Sequence, residues 1–310
     1  MLIACILKDI IDRVPRGFVM RATLLSFTFA LVSIFVPLGS IAQAESLAPG
    51  TTIISFTNWS GPALDTHIYV PETVTPTTAI VIVMHGWSRD IDRYFGDWQV
   101  LGKEHGFIVV VPHFTMESFP DSNDYNLGHV FDEKSHERRP EPSWTFSAIE
   151  ALFDEVVTRL AGTQEKYTLY GHSAGGQFVH RYLYYKPEAR VKLFIAANSG
   201  WYTMPEFDTK YPYGLGGSGL DTAALAVAFG KNMILLLGRE DTDTASANLR
   251  QTSEAGRQGS NRFERGLTMY STAGSMAEKL GSDLQWQLRI VDGAKHVNAD
   301  MARVAATLVK

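Results

Sequence analysis

A serine framed by glycines, set between a strand-like run and a helix-like run, constrains this chain more than any other stretch. Residues 170–176 read Tyr-Gly-His-Ser-Ala-Gly-Gly, preceded by Lys166-Tyr-Thr-Leu-Tyr170 and followed by the helix-like run Gln177 to Tyr185. In the pattern G-x-S-x-G, Gly171 and Gly175 permit a turn tight enough to lift the Ser173 hydroxyl clear of the backbone. Such a turn needs a buried parallel strand before it and a helix after it, so that the helix N-terminus and the next free amide face developing negative charge. Both flanks are present, and Gly176 adds a small residue where helix and sheet must pack closely. The expectation is a nucleophile elbow, hence a serine hydrolase.

The rest of the chain supplies the sheet that such an elbow requires. Short apolar runs at Ala79 to Met84, Phe107 to Val111, Tyr167 to Tyr170, Val191 to Ile195, Met233 to Leu237 and Gln287 to Val291 read as strands. Two earlier runs, Thr52 to Thr57 and Thr66 to Val70, read as a hairpin that opens the sheet. Helical periodicity falls at Ile91 to His105, Trp144 to Leu160, Gly175 to Tyr185, Asn261 to Leu280 and Val297 to Val309. Strands alternating with helices give an α/β fold with a mostly parallel central sheet of about eight strands, helices on both faces and a small loop-rich lid. Two long irregular segments, Phe114 to Pro142 and Gly200 to Asp221, follow strands and should rise over the C-terminal edge of the sheet, where open sheets bind ligands.

The N-terminus reads differently. Arg13, Arg16 and Arg21 precede an apolar stretch from Ala22 to Ile41 that ends in Ala42-Gln43-Ala44. A basic segment, an apolar segment and an A-x-A site are the pattern of a secretory signal peptide. Residues 1–44 are therefore expected to be a signal peptide cut after Ala44, and 45–310 the catalytic domain of a secreted or periplasmic protein. The alternatives are initiation at Met20 and an uncleaved membrane anchor. Cys5, the one cysteine, lies in this leader, so the mature chain has no thiol for a disulfide, a nucleophile or a metal. Removing the leader, which carries a net +2, leaves a net charge of −7. A chain this acidic has no electrostatic reason to bind nucleic acid.

In this architecture the catalytic order is nucleophile, acid, base, so an acid should follow a later strand and a histidine should come near the C-terminus. After Leu235-Leu-Leu237 comes Gly238-Arg-Glu-Asp241, and Val291-Asp-Gly-Ala-Lys-His296 follows the last strand. Asp241 is the expected acid, with Asp243 as the alternative, and His296 is the expected base. His180 sits seven residues beyond Ser173 on a helix, about 10 Å along its axis and too far to take the serine proton. His85 and His172 are expected to be structural. Two amides should face the oxyanion: that of Ala174, and one from Met84-His85-Gly86-Trp87-Ser88, where Trp87 is favoured and Ser88 is second. Gly200-Trp-Tyr-Thr-Met-Pro205 follows the strand after the elbow, so Trp201, Tyr202 and Met204 are expected to line the substrate pocket.

Taken together, His85-Gly86-Trp87, Gly171 to Gly175, Gly238 to Asp241 and His296 resemble the α/β-hydrolase superfamily over nearly all of residues 50–310. Within it, the stretches His85 to Asp90, Gly171 to His180 and Leu235 to Thr244 are similar to exported esterases related to polyhydroxyalkanoate depolymerases. The resemblance implies hydrolysis of a carboxylic ester through an acyl-enzyme, on a polyester or a hydrophobic acyl ester, without metal or organic cofactor. Small-molecule or polymeric ester is the expected substrate, with no nucleic acid and no stable membrane insertion after the leader is removed. A serine peptidase of the same fold and a non-catalytic binding protein on this scaffold are the competing readings.

Overall fold

The computed structural model describes residues 45–310; the leader expected over 1–44, with its cysteine, lies outside the described residues. Among the described residues eight strands make one sheet: β1 (Gly50–Phe56), β2 (Leu64–Val70), β3 (Ile80–Met84), β4 (Ile108–Pro112), β5 (Tyr167–His172), β6 (Val191–Ala197), β7 (Met233–Gly238) and β8 (Trp286–Val291). Their spatial order is β1-β2-β4-β3-β5-β6-β7-β8. The opening hairpin pairs β1 with β2 antiparallel, β2 is antiparallel to β4, and every pairing from β4 onward is parallel. This is the mostly parallel sheet of about eight strands that the sequence pattern implied.

The runs that become central strands bury both faces. In β3 all five residues of Ile-Val-Ile-Val-Met are buried, and alternate side chains go to opposite layers because successive side chains of a strand point to opposite faces. Ile80, Ile82 and Met84 join the layer with helices α2 (Ser147–Arg159), α3 (Ala174–Tyr185), α4 (Thr222–Phe229) and α6 (Arg262–Leu280). Val81 and Val83 join the other layer, beneath α1 (Ile91–His105) and α7 (Asn298–Ala306). A further short helix, α5 (Ser253–Gln258), places Ala255 beside Trp201 and Tyr213 in a small separate cluster. Among the described residues no helix is long and apolar enough to cross a membrane.

Register brings the functional loops to one edge. Met84 lies opposite Gly171, His172 opposite Ala197 and Gly238 opposite Val291. The turns after β3, β5, β6, β7 and β8 therefore leave the sheet side by side, at its C-terminal end. Two expectations shift. The helix expected from Trp144 begins at Ser147, because Trp144 has an extended backbone (φ −73°, ψ 139°) that closes a short 3-10 turn. Helices α4 and α5 have no counterpart in the periodicity reading.

Candidate active site

Ser173 stands between β5 and α3 with φ 60° and ψ −117°, a conformation that a residue with a side chain adopts only when its surroundings enforce it. The glycines around it make room. A Cβ on Gly171 would come within 2.2 Å of the Gly175 carbonyl oxygen, and one on Gly175 within 2.0 Å of the Met84 carbonyl oxygen. The Ser173 amide donates to the Ala197 carbonyl at 3.0 Å, which ties the turn to β6.

Three side chains separated by up to 123 residues of sequence meet here. His296 Nε2 is 3.0 Å from Ser173 Oγ, and its Nδ1 is 2.7 Å from Asp241 Oδ2. With Nδ1–H donating to the carboxylate, Nε2 is left with the lone pair that faces the serine hydroxyl. Asp241 is 2% exposed, whereas Asp243 is exposed and, among the described residues, accepts from the Ala245 amide alone. Asp241 is the carboxylate that the fold brings against His296.

Asn198 joins the two loops that carry the acid and the base. Buried beyond the end of β6 at φ 44°, it accepts from the Gly238 amide at 2.7 Å and donates to the Lys295 carbonyl at 3.0 Å. The Glu240 amide donates to the Ala294 carbonyl at 2.9 Å as a second tie. Nothing local in the sequence marks Asn198, since its partners lie 40 and 97 residues away.

The loop after β3 is held by histidine. Burial, and then the Arg89 charge, push the His85 imidazole down to about 3, so it is neutral. Its Nε2 accepts from the Phe114 amide at 3.1 Å, which leaves the proton on Nδ1, 3.1 Å from the Gly86 carbonyl. The Arg89 amide donates to the same carbonyl at 3.2 Å. Carbonyl and N–H point in opposite directions across a trans peptide, so fixing the Gly86 carbonyl turns the Trp87 N–H away from His85. Trp87 and Ala174 both line the cavity in front of Ser173. A Cβ on Gly86 would reach within 2.6 Å of the Tyr94 hydroxyl and 3.6 Å of the Ser173 Cβ, so this position has to be small.

His172 lies inside the elbow, and its Nδ1 bonds the Tyr94 hydroxyl at 2.9 Å. Its ring packs 4.6 Å from that of His296. Burial first, and the His296 charge second, hold it well below the usual imidazole range. His180, also neutral through burial, bonds among the described residues to the Gly176 carbonyl and the Thr203 amide.

The cavity has a volume of about 430 Å³. Of the three expected pocket residues, Trp201 lines it. Tyr202 and Met204 do not: they are 0% and 5% exposed and belong to the sheet core. Gln258 pins both backbone groups of Tyr202, at 2.9 and 2.7 Å, and the phenol ring turns inward against His180. The cavity wall that the sequence does not announce comes from after β7, at Ala247 to Arg250. Arg250 stacks over Trp201 at 5.2 Å, and Arg181 lies 4.1 Å from the same ring.

No family model and no curated protein sequence matches the chain, but solved structures do. Poly(aspartic acid) hydrolase-1 from Sphingomonas sp. KT-1 is 41% identical with a TM-score of 0.83, over 85% of this chain and 99% of that one. A poly(3-hydroxybutyrate) depolymerase from Bordetella parapertussis is 32% identical with a TM-score of 0.79, over 84% of this chain and 90% of that one. The chain belongs to the α/β-hydrolase superfamily, alongside these depolymerase-like enzymes. This α/β-hydrolase shares only its fold with more distant members such as an S-formylglutathione hydrolase from Agrobacterium tumefaciens, 15% identical with a TM-score of 0.52 over 86% of this chain and 95% of that one. It is a serine hydrolase, and the reading as a non-catalytic binding protein falls away.

Proposed function

We propose that this protein is an exported acyl hydrolase that cleaves esters, and the main-chain acyl linkages of carboxylate-bearing polymers, through an acyl-enzyme on Ser173. Ser173 Oγ attacks the substrate carbonyl while His296 Nε2 takes its proton, and Asp241 stabilises the imidazolium. The amides of Trp87 and Ala174 receive the oxyanion. His296 then returns the proton to the leaving group, and water repeats the sequence to release the acid. Export rests on the leader pattern of residues 1–44.

The observation that carries the substrate class is the charge of the cavity. Among the described residues, those lining it include Arg93 and Arg250 and no aspartate or glutamate, in a chain whose net charge is −5. Arg93 is already paired with Asp90 at 3.1 Å. Arg250 is exposed; its Nε donates to the Tyr213 hydroxyl at 2.9 Å, and among the described residues no carboxylate lies within 4.0 Å of it. A guanidinium held in place by Tyr213 and Trp201 with its outer N–H groups free fits an incoming carboxylate. The relative at 41% identity is named for poly(aspartic acid), a polymer with a carboxylate on every unit, and the relative at 32% for a neutral polyester.

The test compares sodium poly(aspartate), poly(3-hydroxybutyrate) and a p-nitrophenyl ester series on the purified protein, with Ser173→Ala and Arg250→Gln. Ser173→Ala should lose at least about 10³-fold in turnover of every substrate and escape phosphonate labelling. Arg250→Gln should raise KM for poly(aspartate) about tenfold and leave p-nitrophenyl acetate unaffected, as loss of one charge-assisted contact implies. Shortening of the neutral polyester with poly(aspartate) untouched would overturn the carboxylate-bearing class and leave the ester hydrolase.

A further inference from the structure

Arg262 opens α6 with its side chain only 2% exposed, and its Nη1 lies 3.6 Å from Asp241 Oδ1. A buried guanidinium is costly unless an anion faces it, and so is a buried carboxylate. The anion here is the side chain whose other oxygen accepts the hydrogen bond from His296 Nδ1–H at 2.7 Å. Asp241 Oδ1 has no hydrogen bond among the described residues, which leaves the guanidinium as the partner on that side. A second tie aims it: Arg262 Nη2 donates to Ser246 Oγ at 3.2 Å. The backbone is joined too, as the Phe263 amide donates to the Asp241 carbonyl at 3.2 Å. Tyr202, the other ionisable side chain that senses Asp241, stays a neutral phenol because it is buried.

Charge accounting gives this contact a role in the reaction. Without Arg262, Asp241 would present a lone negative charge in the interior, bonded on one oxygen to a neutral imidazole and on the other to nothing. With it, the resting group of Arg262, Asp241 and His296 sums to zero. When His296 takes the Ser173 proton, the added positive charge is matched by the oxyanion forming a few ångströms away. On the reading that Asp241 orients His296, we infer that Arg262 is a positioning residue of the reaction. It neutralises the buried carboxylate and holds Oδ2 turned toward His296, without touching substrate.

Arg262→Gln, Arg262→Lys, Asp241→Asn and the double variant Arg262→Gln/Asp241→Asn of the full chain test this with a p-nitrophenyl ester, each checked for native circular dichroism. Arg262→Gln keeps a donor for Ser246 and loses the charge; its kcat should fall about 10- to 100-fold at nearly constant KM, the scale on which residues that orient a reacting group act. Arg262→Lys should recover most of that loss. In the Asp241→Asn background the same Gln substitution should change kcat by less than about threefold, because the charge it serves is gone. Equal kcat in the Gln and Lys variants, or a Gln loss that multiplies in full onto Asp241→Asn, overturns the inference. Misfolding of the Gln variant with a Lys variant below a tenth of wild-type kcat does so as well. If Asp241→Asn itself leaves kcat unchanged, the assignment of the acid fails, a different outcome from the failure of Arg262 alone.

Discussion

Asp241 and Asp243 are two residues apart on one acidic turn, and the same carboxylate has opposite surroundings at each position. The former is enclosed between His296 and Arg262, the latter is exposed and caps its own turn. Asp241→Asn removes the acceptor that selects the His296 tautomer and should cost about 10⁴-fold in kcat, whereas Asp243→Asn should stay within about twofold. Steady-state kinetics on a p-nitrophenyl ester distinguish them, and an inverted result would move the acid to Asp243. Chain order and strand ends point to Ser173, the Gly238 to Asp241 turn and His296 because those features are local. Arg262 and Asn198 are silent in the sequence, since each matters only through a partner that folding brings near. Tyr202 and Met204 mislead for a related reason: a strand-end loop names the residues near a site but not which of them turn inward.

At the scale of elements, the central strands and the long helices declare themselves through contrast. The five residues of β3 are uniformly apolar, and α1 alternates buried and exposed positions at helical spacing. Helix α4, Thr-Ala-Ala-Leu-Ala-Val-Ala-Phe, has no polar face, so no periodicity marks it even though alanine favours the helical state. Its buried residues Leu225, Ala228 and Phe229 nonetheless follow helical spacing, and Val227 on the outside is 48% exposed. What starts the helix is a local signal: the Asp221 side chain accepts from the Ala224 amide at 2.8 Å. Asp221→Ala should lower unfolding stability by about 1 kcal/mol, the ordinary worth of such a cap. Urea denaturation measures this, and kcat should be unchanged because no residue of α4 lines the cavity. A loss of activity at full stability would mean that α4 has a second role.

Across the whole molecule, three neutral histidines tie the active site to acid sensitivity. His85 holds the loop after β3, His172 packs against His296, and His180 receives the amide of Thr203 beside the pocket. Burial is the largest cause in each, pushing His85 down to about 3 and the other two well below their ordinary 6.5. Once the chain unfolds, all three imidazoles return to ordinary values and bind protons readily below pH ~6.5. The unfolded state then holds more protons than the folded one, so stability is at its plateau above pH ~6.5 and declines as pH falls. Each imidazole contributes a slope of about 1.4 kcal/mol per pH unit, about 4 for the three together, continuing toward the low folded values. Urea midpoints between pH 8 and 4.5 should therefore be level at first and then drop steeply below 6.5. His180→Gln, whose amide can still donate to the Gly176 carbonyl and accept from Thr203, should make that decline shallower by about 1.4 kcal/mol per pH unit. A level profile down to pH 5 would mean that these imidazoles take up protons within the fold. His85 would then carry a proton on both nitrogens, and its Nε2 could no longer accept from the Phe114 amide.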